Sequence, residues 1–107
     1  MAFQQATLTG TTGTGYAVPF TNASNGTKVT CKTAGADFWI KAILQGNSVN
    51  APGGTPAAAG LVSGWSRLIT GDSVNFGIDP NEARGGDPVV GFSVWCVTAG
   101  ELDFLGH

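Results

Sequence analysis

The chain has 107 residues and a mass of 10.8 kDa, which is the size of one domain. Only 11% of the residues are charged and the net charge is -2, which excludes a basic surface for nucleic acid and a coiled coil rich in Glu and Lys. Gly residues, 17 in all, and other small neutral residues take the place of the missing charge. We expect a single β-domain over residues 1–107.

Short apolar or β-branched runs alternate with clusters of Gly, Asn, Pro and Asp along the chain, which is typical of an all-β sandwich or barrel. The runs predicted to be strands are 3–8, 16–20, 28–33, 37–44, 65–70, 73–78, 89–98 and 102–105. About eight short strands in a chain of this length favour a two-sheet β-sandwich or jelly roll.

The N-terminal segments carry several local signals. Pro19 has no backbone N–H, so the second strand is expected at a sheet edge or a bulge. Asn25 and Gly26 are the strongest hairpin signal and predict a hairpin between the second and third strands. The Gly and Thr residues of 9–15 predict a loose loop, and residues 1–15 are expected to form an N-terminal arm that reaches a neighbouring subunit.

The middle of the chain combines one strand with two long loops. Residues 37–44 are apolar on both faces apart from Lys41, which indicates a central strand. Residues 45–60 are rich in Gly and Pro, and a loop of this length is either functional or disordered. Gly71 and Asp72 predict a tight hairpin between the strands on either side of them. Residues 79–88 predict a second polar loop.

Cys31 and Cys96 are the only cysteines, and each lies on the apolar face of a predicted strand. We expect both to be buried, reduced thiols, because no secretory signal precedes them. The order Cys31, Trp39, Cys96 leaves an immunoglobulin-type disulfide open. The Trp follows too soon for that pattern, however, and Val94 stands where the immunoglobulin tyrosine is expected.

No residue pattern predicts catalysis, a cofactor or a metal site. The single histidine is His107, at the end of the chain, where it lacks a scaffold for acid–base chemistry. Four carboxylates are candidates for glycosidase or cation chemistry: Asp72, Asp79, Glu82 and Asp87. Asp79 and Asp87 each precede a proline, so turn formation explains them more simply. We expect that the protein is not an enzyme.

Trp39, Trp65 and Trp95 each lie in a predicted strand, on or near the face opposite its main apolar set. Exposed tryptophan rings stack on sugar rings, so the three could form a carbohydrate-binding face. Tryptophan is mostly buried in proteins, so a place in the core or in a subunit interface is the alternative.

Targeting signals are not found in the sequence. The first residues contain neither a basic segment nor an apolar one, so we expect a protein made in the cytoplasm and not secreted by a signal peptide. No apolar run approaches the length of about 20 residues that a membrane-spanning helix needs.

In composition, size and strand pattern the chain resembles small all-β virion proteins of tailed phages, especially capsid decoration (cement) proteins. The resemblance implies a structural virion protein that forms homo-oligomers, often trimers, and binds a capsid lattice. The apolar ends of the chain suggest an assembly interface formed by Phe3, Leu102, Phe104 and Leu105. The alternatives are closure of both ends within one chain, and a carbohydrate- or protein-binding β-sandwich module.

Overall fold

The computed structural model describes residues 3–24, 26–54, 56, 65–69, 71, 73–77 and 88–106. In this part of the chain the regular structure is entirely β, which confirms the predicted fold class. None of the described residues forms a helix long and apolar enough to cross a membrane. The strands are β1 (Phe3–Gly10), β2 (Thr14–Ser24), β3 (Gly26–Cys31), β4 (Asp37–Leu44), β5 (Ser66–Ile69), β6 (Ser73–Gly77), β7 (Val89–Thr98) and β8 (Gly100–Gly106).

The strands form two four-stranded antiparallel sheets. The first sheet has the order β1-β8-β3-β6, and the second has the order β2-β7-β4-β5. Among these described strands only β4 and β5 are both consecutive and paired, so six of the seven steps from one described strand to the next change sheet. Two stacked four-stranded sheets with this interleaved order form a jelly roll, one of the two architectures that the sequence predicts.

Two predicted hairpins are wrong for the same reason. Gly26 begins β3 in the first sheet, whereas β2 belongs to the second sheet. Gly71, which has a φ of 80°, separates β5 of the second sheet from β6 of the first. A tight turn reverses the chain direction in either case, so turn residues alone do not distinguish a hairpin from a crossing between sheets.

The core lies between the two sheets and, in the strands whose side chains are described, is built mainly from alternate residues. In β7, Phe92, Val94 and Cys96 are completely buried and face inward. The ring centroids of Phe92 and Phe104 lie 5.1 Å apart, and Phe20 lies 5.8 Å from Phe92 and 6.1 Å from Phe104. This aromatic cluster joins the two sheets, because Phe104 belongs to β8 and the other two rings belong to β2 and β7.

The ends of the chain pair with each other. β1 runs antiparallel to β8, from Phe3 opposite Gly106 to Gly10 opposite Gly100. Leu102 and Phe104 are completely buried in the core of their own chain, while Leu105 is half-buried. The expected arm over residues 1–15 is, within residues 3–15, formed by β1, a turn and the start of β2. Leu102 and Phe104 therefore present no exposed surface in the folded chain, and the structure corresponds to the alternative in which both ends pair internally.

The two cysteines are buried thiols, as the sequence predicts, and no disulfide joins them. Burial raises the pKa of the Cys96 thiol, and the nearby negative charge of Asp37 and the proximity of Cys31 raise it further. A group with a raised pKa in the folded state makes folding less favourable as the pH rises above its ordinary value.

We therefore expect native protein to resist alkylation at neutral pH, because neither thiol is exposed and Cys96 stays protonated. Both thiols should be labelled once the chain is unfolded in denaturant. Intact mass after maleimide treatment measures the difference. Two labels on the native protein, or none on the denatured protein, would contradict this expectation.

Candidate functional site

The outer faces of the two sheets differ in chemistry. The first sheet carries a solvated polar network in which Lys32 Nζ lies 3.1 Å from Glu101 Oε1 and 3.2 Å from Asp103 Oδ2. Thr7 Oγ1 donates a hydrogen bond to Asp103 Oδ1 at 2.9 Å. Thr30 Oγ1 and Ser73 Oγ lie 3.0 Å apart and form a hydrogen bond. Exposed ion pairs of this kind contribute little stability, and this face has the character of an ordinary water-facing surface.

The outer face of the second sheet is aromatic. On β4, Trp39, Lys41 and Ile43 alternate with the inward-facing residues, and all three are half-buried. On β7, Trp95 lies directly opposite Trp39, and Ser93 lies opposite Lys41. We call the surface formed by these five residues the tryptophan face. It brings two of the three predicted tryptophans together, and both are half-buried.

An ion pair holds the edge of the tryptophan face. Arg67 on β5 lies opposite Trp39, and its guanidinium carbon stands 5.7 Å from the centroid of the Trp39 ring. The same guanidinium donates two hydrogen bonds to the Asp37 carboxylate, and this raises the pKa of Arg67. A bidentate pair fixes the plane of the guanidinium. Asp37 thus orients Arg67, and the guanidinium of Arg67 lies against the Trp39 ring.

The loop after β4 folds back over the same sheet. Ser93 Oγ donates a hydrogen bond of 2.6 Å to the Asn50 carbonyl oxygen, and Gln45 N donates one of 2.9 Å to Pro88 O. Gly15 and Gly91 leave room for the loop, because a Cβ at residue 15 would collide with Pro52, and one at residue 91 would stand 2.8 Å from Val49 Cγ2. The described part of the predicted 45–60 loop, 45–54 and Pro56, is therefore packed against the sheet over at least residues 49–52.

A groove of about 440 Å³ runs between β4 and this loop. Lys41, Ala42, Ile43 and Leu44 of β4 form one side, and Asn47, Ser48 and Asn50 form the other. Asn47 Nδ2 donates to the Leu44 carbonyl oxygen at 3.3 Å, which ties the loop to the end of the strand. The groove thus has an apolar strand side, a polar loop side and one cationic side chain.

Of the other candidate tryptophan, carboxylate and histidine residues, the structure describes only Trp65. Trp65 is half-buried and immediately precedes β5. Asp72, Asp79, Glu82, Asp87 and His107 lie outside the described residues. Lys41 and the side-chain amides of Asn47 and Asn50 were not predicted as site residues. The sequence shows the alternation along β4, but it does not show that the loop returns over this strand. Within the described ranges, no three His, Cys, Asp or Glu residues are grouped so as to hold a metal ion.

Comparison with known proteins adds no assignment. The chain matches no known protein family, no curated protein and no solved structure at a significant level.

Proposed function

We propose that the protein is a structural virion protein of the capsid decoration (cement) type, which forms homo-oligomers and binds a protein lattice. The observation that carries the proposal is the edge strand β1. It has eight residues, FQQATLTG, with no charged residue and no proline, and it pairs with β8 along one side. In the described part of the chain no strand pairs with its other side. A long, uncharged strand edge is a template for pairing with another chain.

The other sheet edges carry features that discourage such pairing. Edge strand β2 contains Pro19, which lacks a donor, and its pairing with β7 is irregular between Pro19 and Ser24. Edge strand β5 has only four residues and carries the exposed Arg67. Edge strand β6 has five residues. Among the described strands β1 is therefore the edge best suited to strand addition. The low charge of the chain favours contact with other copies.

The proposal is tested by placing a charge on this edge. Thr9 is exposed on β1, and Thr9→Lys puts a cation where two pairing edges would meet. Thr98→Lys, at an exposed position on the central strand β7, is the matched control. We expect the unaltered protein and the control to be oligomers by size-exclusion chromatography with light scattering, and to sediment with assembled phage capsids. Thr9→Lys should shift towards the monomer and bind capsids less.

A monomer at every concentration, with no capsid binding, would contradict the proposal. Deletion of residues 1–8 is a poor test, because it removes most of β1 and with it Ala6 and Leu8, which pack against the core. Loss of assembly would then have loss of folding as its simpler cause.

The second candidate function is a carbohydrate- or protein-binding β-sandwich module. The cross-strand pair of Trp39 and Trp95 on an outer sheet face favours it. Aromatic residues are enriched in binding surfaces because they supply a large contact area at little cost in conformational entropy. Ligand binding by a protein that stays monomeric would support this candidate over the first.

A further inference from the structure

We infer that the groove beside β4 is a binding site for a carboxylated sugar, with Lys41 as its recognition residue. Trp39 lies outside the groove lining, two residues from Lys41 on the same face of β4, and would contact a ligand that extends out of the groove. The inference rests on the second candidate function and is independent of assembly through β1. The volume of the groove, about 440 Å³, lies within the range of roughly 300–1,000 Å³ that is usual for small-molecule sites. The dimensions therefore favour a ligand of a few sugar rings.

The charges around the groove favour an anion. Among the described residues that line it, Lys41 is the one that carries a charge. The ion pairs of the described residues are formed by Lys32 and Arg67, so no carboxylate in that part of the chain neutralises Lys41. The nearby Asp37 carboxylate is occupied by Arg67. A ligand carboxylate would thus meet the ammonium group of a half-buried lysine side chain, with which it can form a charge-assisted hydrogen bond.

The remaining groups suit a sugar better than a simple acid. Trp39 and Lys41 lie on the same face of β4 two residues apart, a spacing of roughly 7 Å along a strand. A pyranose ring can place its C–H groups against an aromatic ring while its carboxylate points to the neighbouring cation. Asn47, Ser48 and Asn50 supply amide and hydroxyl groups for the sugar hydroxyls.

The site is already assembled in the free protein. The Arg67 guanidinium lies against the Trp39 ring, and the hydrogen bonds from Ser93 to Asn50 and from Asn47 to Leu44 tie the loop to the sheet. A preformed site loses little conformational entropy on binding. We therefore expect binding without a large change in the structure of the loop.

The test uses a galacturonic acid trisaccharide as the probe and a galactose trisaccharide as its neutral match, with binding measured by isothermal titration calorimetry. We expect the acidic probe to bind about tenfold more tightly, with an affinity that falls as salt is added. Lys41→Gln should remove this preference and leave the melting temperature unchanged. Trp39→Leu should weaken both probes while retaining an apolar side chain. Lys28→Gln, on the exposed outer face of the first sheet, is the matched control and should bind as the unaltered protein does.

Absence of saturable binding by the acidic trisaccharide would overturn the inference. Equal affinity for the two trisaccharides, or an unchanged preference in Lys41→Gln, would also overturn it, while leaving sugar binding as a function of the tryptophan face. A glutamate-rich peptide that binds as tightly as the acidic trisaccharide would show that the groove recognises the charge and not the sugar. None of these outcomes bears on the oligomeric state, which tests assembly separately.

Discussion

Phe104→Ala should remove about 3–5 kcal/mol of the free energy of unfolding, which is a large part of the 5–15 kcal/mol typical of a native domain. The ring of Phe104 is completely buried and contacts Phe92 and Phe20 at the centre of the core. Truncation removes the contacts that join the two sheets and leaves a cavity that the neighbouring strands fill only in part. Urea unfolding followed by circular dichroism measures the effect.

Leu105→Ala is the matched control, because Leu105 is the next residue of β8 and is only half-buried. Its loss should cost about 1 kcal/mol or less. The pair also tests the assembly interface that the sequence suggests at these residues. If Phe104 served a neighbouring subunit, Phe104→Ala would change the oligomeric state and leave the unfolding of the monomer unchanged. Destabilisation with an unchanged oligomeric state is the expected result.

The strand content was predictable because alternation with a period of two is a local property. The alternation predicts inward faces for Cys31 of β3 and Cys96 of β7, and both are buried. Val29, Phe92 and Val94, which share those faces, are buried with them. The partners of each strand were not predictable in this way. A turn such as that at Gly71 looks the same in sequence whether the next strand pairs with the last one or joins the opposite sheet.

The strand partners of the two chain ends were likewise not predictable from the local sequence. Leu102 and Phe104 are apolar near a terminus, which suggested an assembly contact. In the structure β8 lies between β1 and β3, so both residues lie in the core. Trp39 and Trp95 alternate with core residues and lie on the outer face of the second sheet, where carbohydrate binding and a subunit interface both stay predictions. The groove was missed because it depends on a loop that returns over the sheet, and loop paths are set by contacts distant in sequence.

Gly91→Ala tests that loop and the strand beneath it. A Cβ at residue 91 would lie 2.6 Å from the Val18 carbonyl oxygen and 3.1 Å from Pro19 Cα, besides its contact with Val49. Two of these atoms belong to the backbone of β2, so no side-chain rotation relieves the collision, and β2 or the loop must shift. We expect a loss of about 1–3 kcal/mol, measured by urea unfolding. The Gly53→Ala control lies in the same loop with no atom within 4 Å of its Cβ, so it should change stability by less than about 0.5 kcal/mol. If Gly91→Ala were as stable as this control, the result would contradict the close packing of β2 and the loop against β7.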